Sequence, residues 1–485
     1  MSCMNTTRTT HPLHPPRLPV ASRALSVALA AFAVAAAAQA PAPAPGQPAP
    51  GESASGSAEP TLTLRDAIRQ ALGQSPDAAA AVADVQGAKA QAALARTMFL
   101  PQLNFTEDIS RGNDPVYVFG SRLRQQQFTQ SNFALNALNK PQPIGNFATR
   151  LSGQWLAFDS FKTQRTIRSA DQMRQSASSA QQAVNQKIVL DVVSAYQSVL
   201  YAERQVQVAQ HEQQTAAALL ASVDDRVKAG LAVESDRMSA QVSVAARQQE
   251  LIAAQGGLEL AWAQLRVAMG MPNLKATQVQ PIQPHSFPQG ALEDEIATAA
   301  KTRPDLAALA HAQSAQSAAV AAAQSDFGPR IGAYGNWEQD RPTFAGSGGN
   351  KWVAGAQLTL DILPFSRRAQ LQQQKAAQLR VDAQKSTAEQ QMRLQVSQAH
   401  IARQTASLSL DTARAAVDQS TESMRILRNR YNAGLATITD LLAAEDAERQ
   451  AQTNYWHAVY GNAVAYAQLL FATGTLTPDA AEDLQ

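Results

Sequence analysis

The sequence contains very little cysteine, few aromatic residues and no excess of charge of either sign. Cys3 is its single cysteine, and 41 lysines and arginines against 39 acidic residues leave a formal net charge of +2. One thiol forms no internal disulfide, and a chain without a basic excess is not expected to bind nucleic acid. Aromatic residues account for 6%, whereas alanine and glutamine recur throughout, which favours long helices that pack closely.

Long apolar runs are also scarce, because only residues 24–38 form an extended uncharged apolar stretch. Three arginines precede this stretch and small residues end it, a pattern typical of a signal peptide. We predict cleavage after Ala38, which would also remove Cys3. No later run reaches the roughly 20 apolar residues that a membrane helix needs, so we expect any membrane crossing to be made by strands.

The rest of the chain is a tandem duplication. Ser75-Pro76-Asp77 recurs as Arg303-Pro304-Asp305, and the sequence RVKAGLA at 226–232 recurs without a gap as RYNAGLA at 430–436. Two further landmarks recur between them in the same order. They are Phe99-Leu100-Pro101, matched by Phe327-Gly328-Pro329, and the Phe158-Asp159 junction, matched by Pro364-Phe365-Ser366.

These repeats predict the organisation of the chain, which is completed by two segments of biased composition. Proline, alanine and glycine dominate the stretch before the first repeat and indicate a linker, and four prolines between the repeats indicate a connector. The predicted segments are a signal peptide at 1–38, a linker at 39–60, a first structural repeat at 61–271, a proline-rich connector at 272–290, a second structural repeat at 291–475 and a C-terminal tail at 476–485.

Each repeat shows both helical and strand periodicity. Apolar residues between Ile188 and Val206 recur every three to four positions, and we predict one helix over Lys162 to Asp225, which would be on the order of 95 Å long. Residues 147–157 and 351–360 alternate with a period of two, which predicts strands of about the 9 to 11 residues that cross a bilayer. Apolar and polar residues occupy opposite sides of the first of these strands, as expected between lipid and water.

Two strands per repeat make four per chain, which is too few to cross a membrane alone. Open sheet edges leave backbone groups unpaired in lipid, and the smallest membrane barrels have about eight strands. We therefore expect an oligomer of two or more chains.

The duplicated order, the motif at Phe99–Pro101, the Phe158-Asp159 junction and the two Ala-Gly-Leu turns resemble the TolC-like outer-membrane efflux proteins over roughly residues 61–475. The resemblance implies an α+β membrane protein whose tandem-duplicated protomer gives four strands to a trimeric 12-stranded β-barrel and long helices to a periplasmic α-barrel. It also implies an outer-membrane location that extends into the periplasm. The implied partners are two further copies, a periplasmic adaptor (membrane fusion) protein, an inner-membrane pump and outer-membrane lipid.

The two helix turns at the repeated motif are the first candidate site. Glycine adopts positive φ without steric cost, so Gly230 and Gly434 fit the points where a helix reverses. The resemblance implies that these turns form a periplasmic tip that contacts the adaptor, and a plain helical hairpin is the alternative. The predicted docking residues are Arg226, Gly230, Leu231, Arg430, Gly434 and Leu435.

A second candidate site is a gate at the same tip. Repeated copies of Asp236 and Asp440 around a pore would attract cations, and the resemblance implies that Tyr431 pairs with Asp236 to hold the aperture closed. Ala436 and Ala443 stand where some family members have a latch arginine and a second pore aspartate, so we expect a simpler latch. The alternative is that both aspartates are solvated residues on exposed helix faces.

Other motifs do not support catalysis. His211-Glu212-Gln213-Gln214-Thr215 lacks the second histidine of a zinc-protease motif and is interpreted as helix surface. Gly346–Lys351 has the wrong spacing for a phosphate-binding loop and is interpreted as a hairpin loop. No catalytic arrangement is recognisable, so we expect no enzymatic activity, no cofactor and no metal site.

The resulting functional prediction is a channel subunit that exports small molecules or ions. The alternatives are a duct for type I protein secretion, a soluble periplasmic coiled-coil scaffold, and an outer-membrane enzyme or lectin. The insert at 111–146 between the first two strands is predicted to lie outside the cell, where it either packs on itself over the barrel mouth or recognises an external molecule.

Overall fold

A computed structural model describes residues 61–281, 287–288 and 290–481. The predicted signal peptide and linker, part of the predicted connector and the last four residues lie outside these ranges. In the first repeat the elements are α1 (Leu64–Gln74), α2 (Pro76–Thr97), β1 (Gln102–Gly112), α3 (Pro115–Arg124), a 3₁₀ turn (Gln130–Phe133), α4 (Leu135–Asn139), β2 (Ile144–Phe158), α5 (Lys162–Lys228) and α6 (Glu234–Ala268).

The second repeat has the same order without the helices between its strands. Its elements are α7 (Leu292–Thr302), α8 (Pro304–Ser325), β3 (Arg330–Arg341), β4 (Gly349–Thr359), α9 (Phe365–Asn432) and α10 (Ile438–Ala472). Residues 342–348 connect β3 to β4. The prediction of a hairpin loop at Gly346–Lys351 is therefore correct for its first three residues and wrong for the last three, which pair with β3 at the start of β4. No helix in the described ranges is both long enough and apolar enough to cross a membrane.

The four strands form one antiparallel sheet in the order β1-β2-β3-β4. Phe105 of β1 pairs with Leu151, Leu151 pairs with Trp337, and Trp337 pairs with Trp352. Successive residues of a strand point to opposite faces, so these four exposed side chains form one apolar row across a single face of the sheet. The outer edges of β1 and β4 have no partner strand within the described chain.

The opposite face of the sheet carries paired charges. The register aligns Arg150, Glu338 and Lys351, and Glu338 forms ion pairs with Arg150 (Nε–Oε2, 3.0 Å) and with Lys351 (Nζ–Oε1, 3.0 Å). The nitrogen Nζ of Lys351 also lies 2.8 Å from Oδ2 of Asp340, which is fully buried. Apolar and charged faces thus alternate as the strand periodicity predicts, and β2, at 15 residues, is longer than expected.

The long helices account for most of the chain. α5 has 67 residues and α9 has 68, so each is about 100 Å long at 1.5 Å per residue. The predicted helix over Lys162 to Asp225 is confirmed, and it ends three residues later, at Lys228. At its start, the backbone N–H of Thr163 donates to Oδ2 of the buried Asp159 over 2.8 Å, which explains why the Phe158-Asp159 junction marks the change from strand to helix.

The largest core lies where α1, α5, α6 and α10 meet, about midway along the long helices. Tyr196 of α5 is completely buried there, and its hydroxyl donates to the carbonyl of Leu62 over 2.8 Å. Burial raises the pKa of this tyrosine. Leu476 and Ala481 are also fully buried in this core, so residues 476–481, the described part of the predicted C-terminal tail, pack against the long helices.

The insert between β1 and β2 packs on itself at the end of the sheet that is distal to the long helices. Phe119, Phe128 and Phe133 form two edge-to-face ring contacts, with centroids 4.8 and 5.1 Å apart. Aromatic pairs in this geometry are worth about 0.5–1.5 kcal/mol beyond their burial. The structure therefore agrees with self-packing of the insert, the first of the two sequence-based interpretations.

Candidate functional site: the tip of the two helical hairpins

The α5–α6 and α9–α10 hairpins turn at the same end of the molecule. Gly230 and Gly434 adopt φ of 70° and 73°, and in both turns the residue after the glycine donates its N–H to an arginine carbonyl, with Leu231 bonded to Arg226 and Leu435 to Arg430 at 2.8 Å each. This is the hydrogen-bond pattern of a helix that ends in a left-handed residue. The repeated motif therefore specifies two identical chain reversals.

A small apolar cluster joins the two hairpins just above their turns. Val223 of α5 is completely buried against residues of the other hairpin, and Leu441 of α10 is almost completely buried. The remaining buried members of the cluster are Ala240, Met424, Tyr431, Ile438 and Ala444. Because apolar contacts link residues of both repeats here, a separation of the two hairpins would expose this cluster to water.

Five of the six predicted docking residues form the exposed end of the turns. Leu231 and Leu435 are 72% and 68% exposed, and a Cβ atom added to Gly230 or Gly434 would meet nothing within 4 Å. Arg430 is also exposed, and its Nη2 donates to the carbonyl of Leu435, in its own turn, over 3.3 Å. Each of the two turns thus presents one large apolar side chain that is available to a partner.

Arg226 behaves differently from its counterpart Arg430. Its guanidinium carbon lies 4.8 Å from the ring centroid of Tyr431, and its Nη1 donates to the carbonyl of Tyr431 over 3.3 Å. A cation over an aromatic ring contributes about 0.5–2 kcal/mol, with the larger values in desolvated sites. The structure thus places this predicted docking residue, which is half-buried, between the hairpins instead of on the outer surface.

Tyr431 occupies the centre of the predicted gate. It is buried, and its hydroxyl has no hydrogen-bond partner within the described residues. Burial raises the pKa of Tyr431, the nearby Arg226 opposes this shift and the Asp236 carboxylate adds to it. Asp236 is therefore close enough to act on the tyrosine electrostatically, but the single chain contains no Tyr431–Asp236 hydrogen bond.

The carboxylate of Asp440 is hydrogen-bonded at the start of its own helix, α10. Its Oδ2 accepts hydrogen bonds from the backbone N–H and the hydroxyl of Thr437, at 2.9 and 2.7 Å, while its own N–H donates to that hydroxyl. These bonds form a capping box at the start of α10 and lower the pKa of the Asp440 carboxyl. The side chain is exposed, as are the positions of Gly434 and Ala443 nearby.

A belt of charged residues above the tip could not be recognised in the sequence. Arg247 of α6 is buried and pairs with Glu250 of its own helix (Nη1–Oε2, 2.7 Å) and with Asp446 of α10. Arg449 of α10 lies 3.7 Å from the same two carboxylates. These contacts connect the two hairpins a second time, on their α6 and α10 side.

Two buried carboxylates accompany this belt. Burial raises the pKa of Glu212 on α5 and of Glu445 on α10. The nearby Glu448 adds to the pKa shift of Glu212, and Glu212 in turn adds to that of Glu445. Arg428 lies 3.8 Å from Glu445 and opposes the shift. The expectation that His211–Thr215 is helix surface is correct for His211 and wrong for Glu212, which is buried close to charged residues of α6 and α10.

The described residues contain no group of three or more histidine, cysteine or acidic side chains arranged to hold a metal ion. What the structure does contain is a sheet with one apolar and one charged face, continued by two long helical hairpins that are joined at their tips. This combination defines the class of outer-membrane channel proteins that extend into the periplasm.

Comparison with known proteins identifies the family. The model of the outer membrane efflux protein family matches residues 67–271 and 296–475, and the chain therefore belongs to that family. It is a subunit of an outer-membrane efflux or secretion channel. The two matched blocks fall within the two structural repeats.

Individual relatives are distant in sequence and similar in fold. The alkaline protease secretion protein AprF of Pseudomonas aeruginosa is 24% identical over 431 residues, which cover 86% of this chain and 85% of AprF. The outer-membrane channel CmeC of Campylobacter jejuni superposes with a TM-score of 0.72 at 17% identity, covering 87% of this chain and 88% of CmeC. The open state of the channel MtrE of Neisseria gonorrhoeae gives 0.69 at 20% identity, with coverages of 85% and 91%.

Proposed function

We propose that three copies of this chain form a duct whose periplasmic end is closed by contacts between the two hairpins of each copy, and which exports small molecules or ions. Arg226 carries this proposal, because it is the tip residue that reaches from one hairpin to an aromatic ring of the other. Opening the tip would separate α5 and α6 from α9 and α10 and would break this contact.

The magnitude of these contacts suits a gate that a partner can open. A cation–π contact of about 0.5–2 kcal/mol and a net hydrogen bond of about 0.5–1.5 kcal/mol stabilise the closed tip by a few kcal/mol per copy. A partner that binds the open form more tightly by a similar amount would shift the equilibrium. The duct itself then needs no cofactor.

The conductance of purified protein in planar bilayers tests the proposed gate. Arg226→Gln removes the contact to Tyr431, so we expect more frequent opening and a higher mean conductance than in the wild type. Arg430→Gln is the matched control, because this arginine occupies the equivalent position of the other repeat and contacts only its own turn. Equal conductance of the wild type and the Arg226 variant would rule out Arg226 as a latch.

We also propose that Tyr431 and Asp236 contribute to the closed state in the assembled protein. The unpartnered hydroxyl of Tyr431 and the electrostatic proximity of Asp236 support this role. Combining Tyr431→Phe with Asp236→Ala should raise the conductance of the closed channel. An unchanged closed state would remove both residues from the gate, and Asp440 is expected to contribute through the start of α10 rather than as a free charge.

The exposed end of the turns is the proposed docking site for a periplasmic adaptor, which in turn connects the duct to an inner-membrane pump. Leu231 and Leu435 present the largest apolar surface there, and the glycines keep the turn open. Leu231→Gln with Leu435→Gln should reduce recovery of the adaptor with the purified channel. Ile362→Gln, at an exposed apolar position near the sheet, should leave recovery unchanged, and the same result for both variants would contradict docking at the tip.

Protein secretion is a second candidate function, because AprF, whose name describes protease secretion, matches most of the chain. The two functions differ in the partners that the channel recruits and in the material that accumulates when it is lost. Deletion of the gene should raise the intracellular level of small toxic compounds if the channel exports them. Retention of a secreted protein without any change in compound resistance would favour secretion.

A further inference from the structure

The insert between β1 and β2 contains a cavity unrelated to conduction at the tip. β1 leaves the helices at Gln102 and ends at Gly112, and β2 begins at Ile144. The intervening residues therefore lie at the end of the sheet that is distal to the periplasmic helices. In a channel that extends from the outer membrane into the periplasm, this end faces the outside of the cell.

The insert is held firmly on the sheet, so the shape of its cavity is defined. Gln125 is buried, and its Nε2 donates to the carbonyl of Gly145 over 2.8 Å and to Oδ1 of Asn146 over 2.9 Å. The hydroxyls of Tyr117 and Ser110 are hydrogen-bonded at 2.9 Å. The insert thus has side-chain bonds to both strands that flank it, in addition to its own aromatic contacts.

The cavity has a volume of about 270 Å³ and combines an apolar wall with polar groups. Phe119 and Phe128 form the wall, together with Pro115 and Val118. Cavities that hold drug-sized ligands are usually about 300–1,000 Å³, so this one suits a smaller group or the end of a larger molecule.

The charged groups that line the cavity are both cations. Arg122 is half-buried and Lys140 is exposed, and both line the cavity. Neither forms an ion pair with any acidic side chain in the described part of the chain. Asp114 is the only acidic residue between positions 112 and 143, and it does not line the cavity because its Oδ1 accepts the N–H of Tyr117 over 2.9 Å at the start of α3.

Two of the neutral polar side chains that line the cavity also favour an acceptor ligand. Oδ1 of Asn132 accepts the backbone N–H of Thr129, and Oδ1 of Asn136 accepts the backbone N–H of Ala137, both at 2.9 Å. Because their oxygens are occupied in this way, the side-chain NH₂ groups of the two asparagines remain as donors. Two cations and two amide donors without a carboxylate form a lining that is complementary to an anion with several oxygen atoms.

We propose that this cavity binds a phosphate group at the outer surface of the cell. Arg122 and Lys140 supply the charge, Asn132 and Asn136 supply further hydrogen bonds, and the phenylalanine wall contacts whatever the phosphate is attached to. The phosphate is either free in solution or part of a phosphorylated glycolipid headgroup in the outer leaflet. Both sources have the same chemistry, and they differ in the affinity that the apolar wall adds.

Binding of inorganic phosphate to the intact purified channel tests this site by calorimetry at constant ionic strength. The double variant Arg122→Gln, Lys140→Gln should bind phosphate at least about tenfold more weakly, since each charge-assisted hydrogen bond contributes more than the 1.4 kcal/mol that corresponds to a factor of ten. The control Arg124→Gln removes the same charge from the same helix at a position outside the cavity lining, and it should change the affinity by less than about twofold.

Two further measurements make the test decisive. If the double variant fails to assemble, Lys140→Gln alone, at an exposed position, should still weaken phosphate binding, and the exchange Arg122→Lys should retain most of it. Monophosphoryl lipid A in detergent micelles then identifies the source, because tighter binding than inorganic phosphate indicates a headgroup and weaker binding indicates free phosphate. Absence of saturable binding of both probes, or equal losses in the Arg124 control, would overturn the proposal.

Discussion

Four glycines end the four long helices, and each adopts positive φ. Gly230 and Gly434 lie in open turns, whereas Gly270 and Gly474 are packed so closely that an added Cβ would lie 2.8 Å from the carbonyl oxygen of Gln74 and from the Cα of Arg303, respectively. Glycine therefore serves two purposes in this chain. At the tip it permits the reversal of the chain, and at the other end it also allows each repeat to pack against its own pair of short helices.

Replacement of Gly434 by alanine isolates the backbone contribution at the tip. Because a Cβ meets no neighbouring atom there, only the left-handed conformation opposes the change, and it costs about 1–2 kcal/mol. Gly87→Ala, within α2 and equally unobstructed, should instead stabilise its helix by about 0.5–1 kcal/mol. Melting temperatures of the purified channel should therefore shift in opposite directions, and a shared direction would contradict this account.

Glu212 should make the stability of the hairpin contact depend on pH. Burial raises its pKa in the folded protein, with Arg247, His211 and Arg449 opposing the shift and Glu448 adding to it. Between the unfolded and folded pKa values the folded chain binds more protons, so stability increases as the pH falls through the folded pKa and is lost again as the pH rises.

Glu212→Gln removes this titration while preserving the shape of the side chain. The variant should melt at a higher temperature than the wild type at pH 8, and the difference should shrink on acidification. Glu250→Gln, at a half-buried position in the same belt, should not show a higher melting temperature at pH 8. A wild type and Glu212 variant whose melting curves shift in parallel from pH 8 to pH 5 would show that Glu212 does not titrate in this range.

At the scale of elements, the two repeats differ in how their second long helices begin. Thr437 and Val233 have nearly the same backbone angles before α10 and α6, at φ −85° and ψ 163° against φ −98° and ψ 158°. Thr437 forms a capping box with Asp440, but Val233 has no hydroxyl, which leaves the equivalent Asp236 without this partner. The carboxylate of Asp236 is therefore not engaged in a capping box and can interact electrostatically with Tyr431.

Val233→Thr should create the missing capping box. Val233 is 60% exposed, so little apolar burial is lost, and a threonine cap contributes about 1 kcal/mol. The melting temperature should rise, while Asp236, drawn to its own helix start, should no longer support the closed tip and the conductance should increase. Val233→Ala is the control and should change neither property. A more stable variant with unchanged gating would show that Asp236 plays no part in closure.

Most elements of the fold were predictable because periodicity is a local property. The 3.6-residue period of α5, the alternation of β2 and β4 and the repeated glycines are all visible along the chain. The side-chain contacts of Arg226 and the burial of Glu212 could not be predicted from the sequence. They depend on how two hairpins about 200 residues apart in sequence are rotated against each other. The spacing Thr-x-x-Asp at 437–440 was a local signal for the capping box, and the pore interpretation of Asp440 overlooked it.

At the scale of the whole molecule, the edges of β1 and β4 have no partner strand within the described chain, so closing the sheet requires further copies. Neighbouring copies should pair β1 of one with β4 of the next until the sheet closes. With Thr106→Cys on β1, Gln357→Cys on β4 and Cys3→Ser, both new thiols lie on the charged face of the sheet. A flexible thiol cross-linker should then give a ladder that ends at three chains. Each single-cysteine variant should give at most two linked chains, and a ladder of the double variant that ends at two chains would exclude the proposed trimer.

These unpaired edges also set the order of events during biogenesis. A lone copy that entered the bilayer would carry unpaired backbone groups into hydrocarbon, and each such group costs several kcal/mol. The periplasmic core around Tyr196 needs no lipid to form, since it buries its side chains within one chain. The helices should therefore fold before the strands enter the membrane, and the rate of insertion should rise more steeply than linearly with the concentration of newly exported chains.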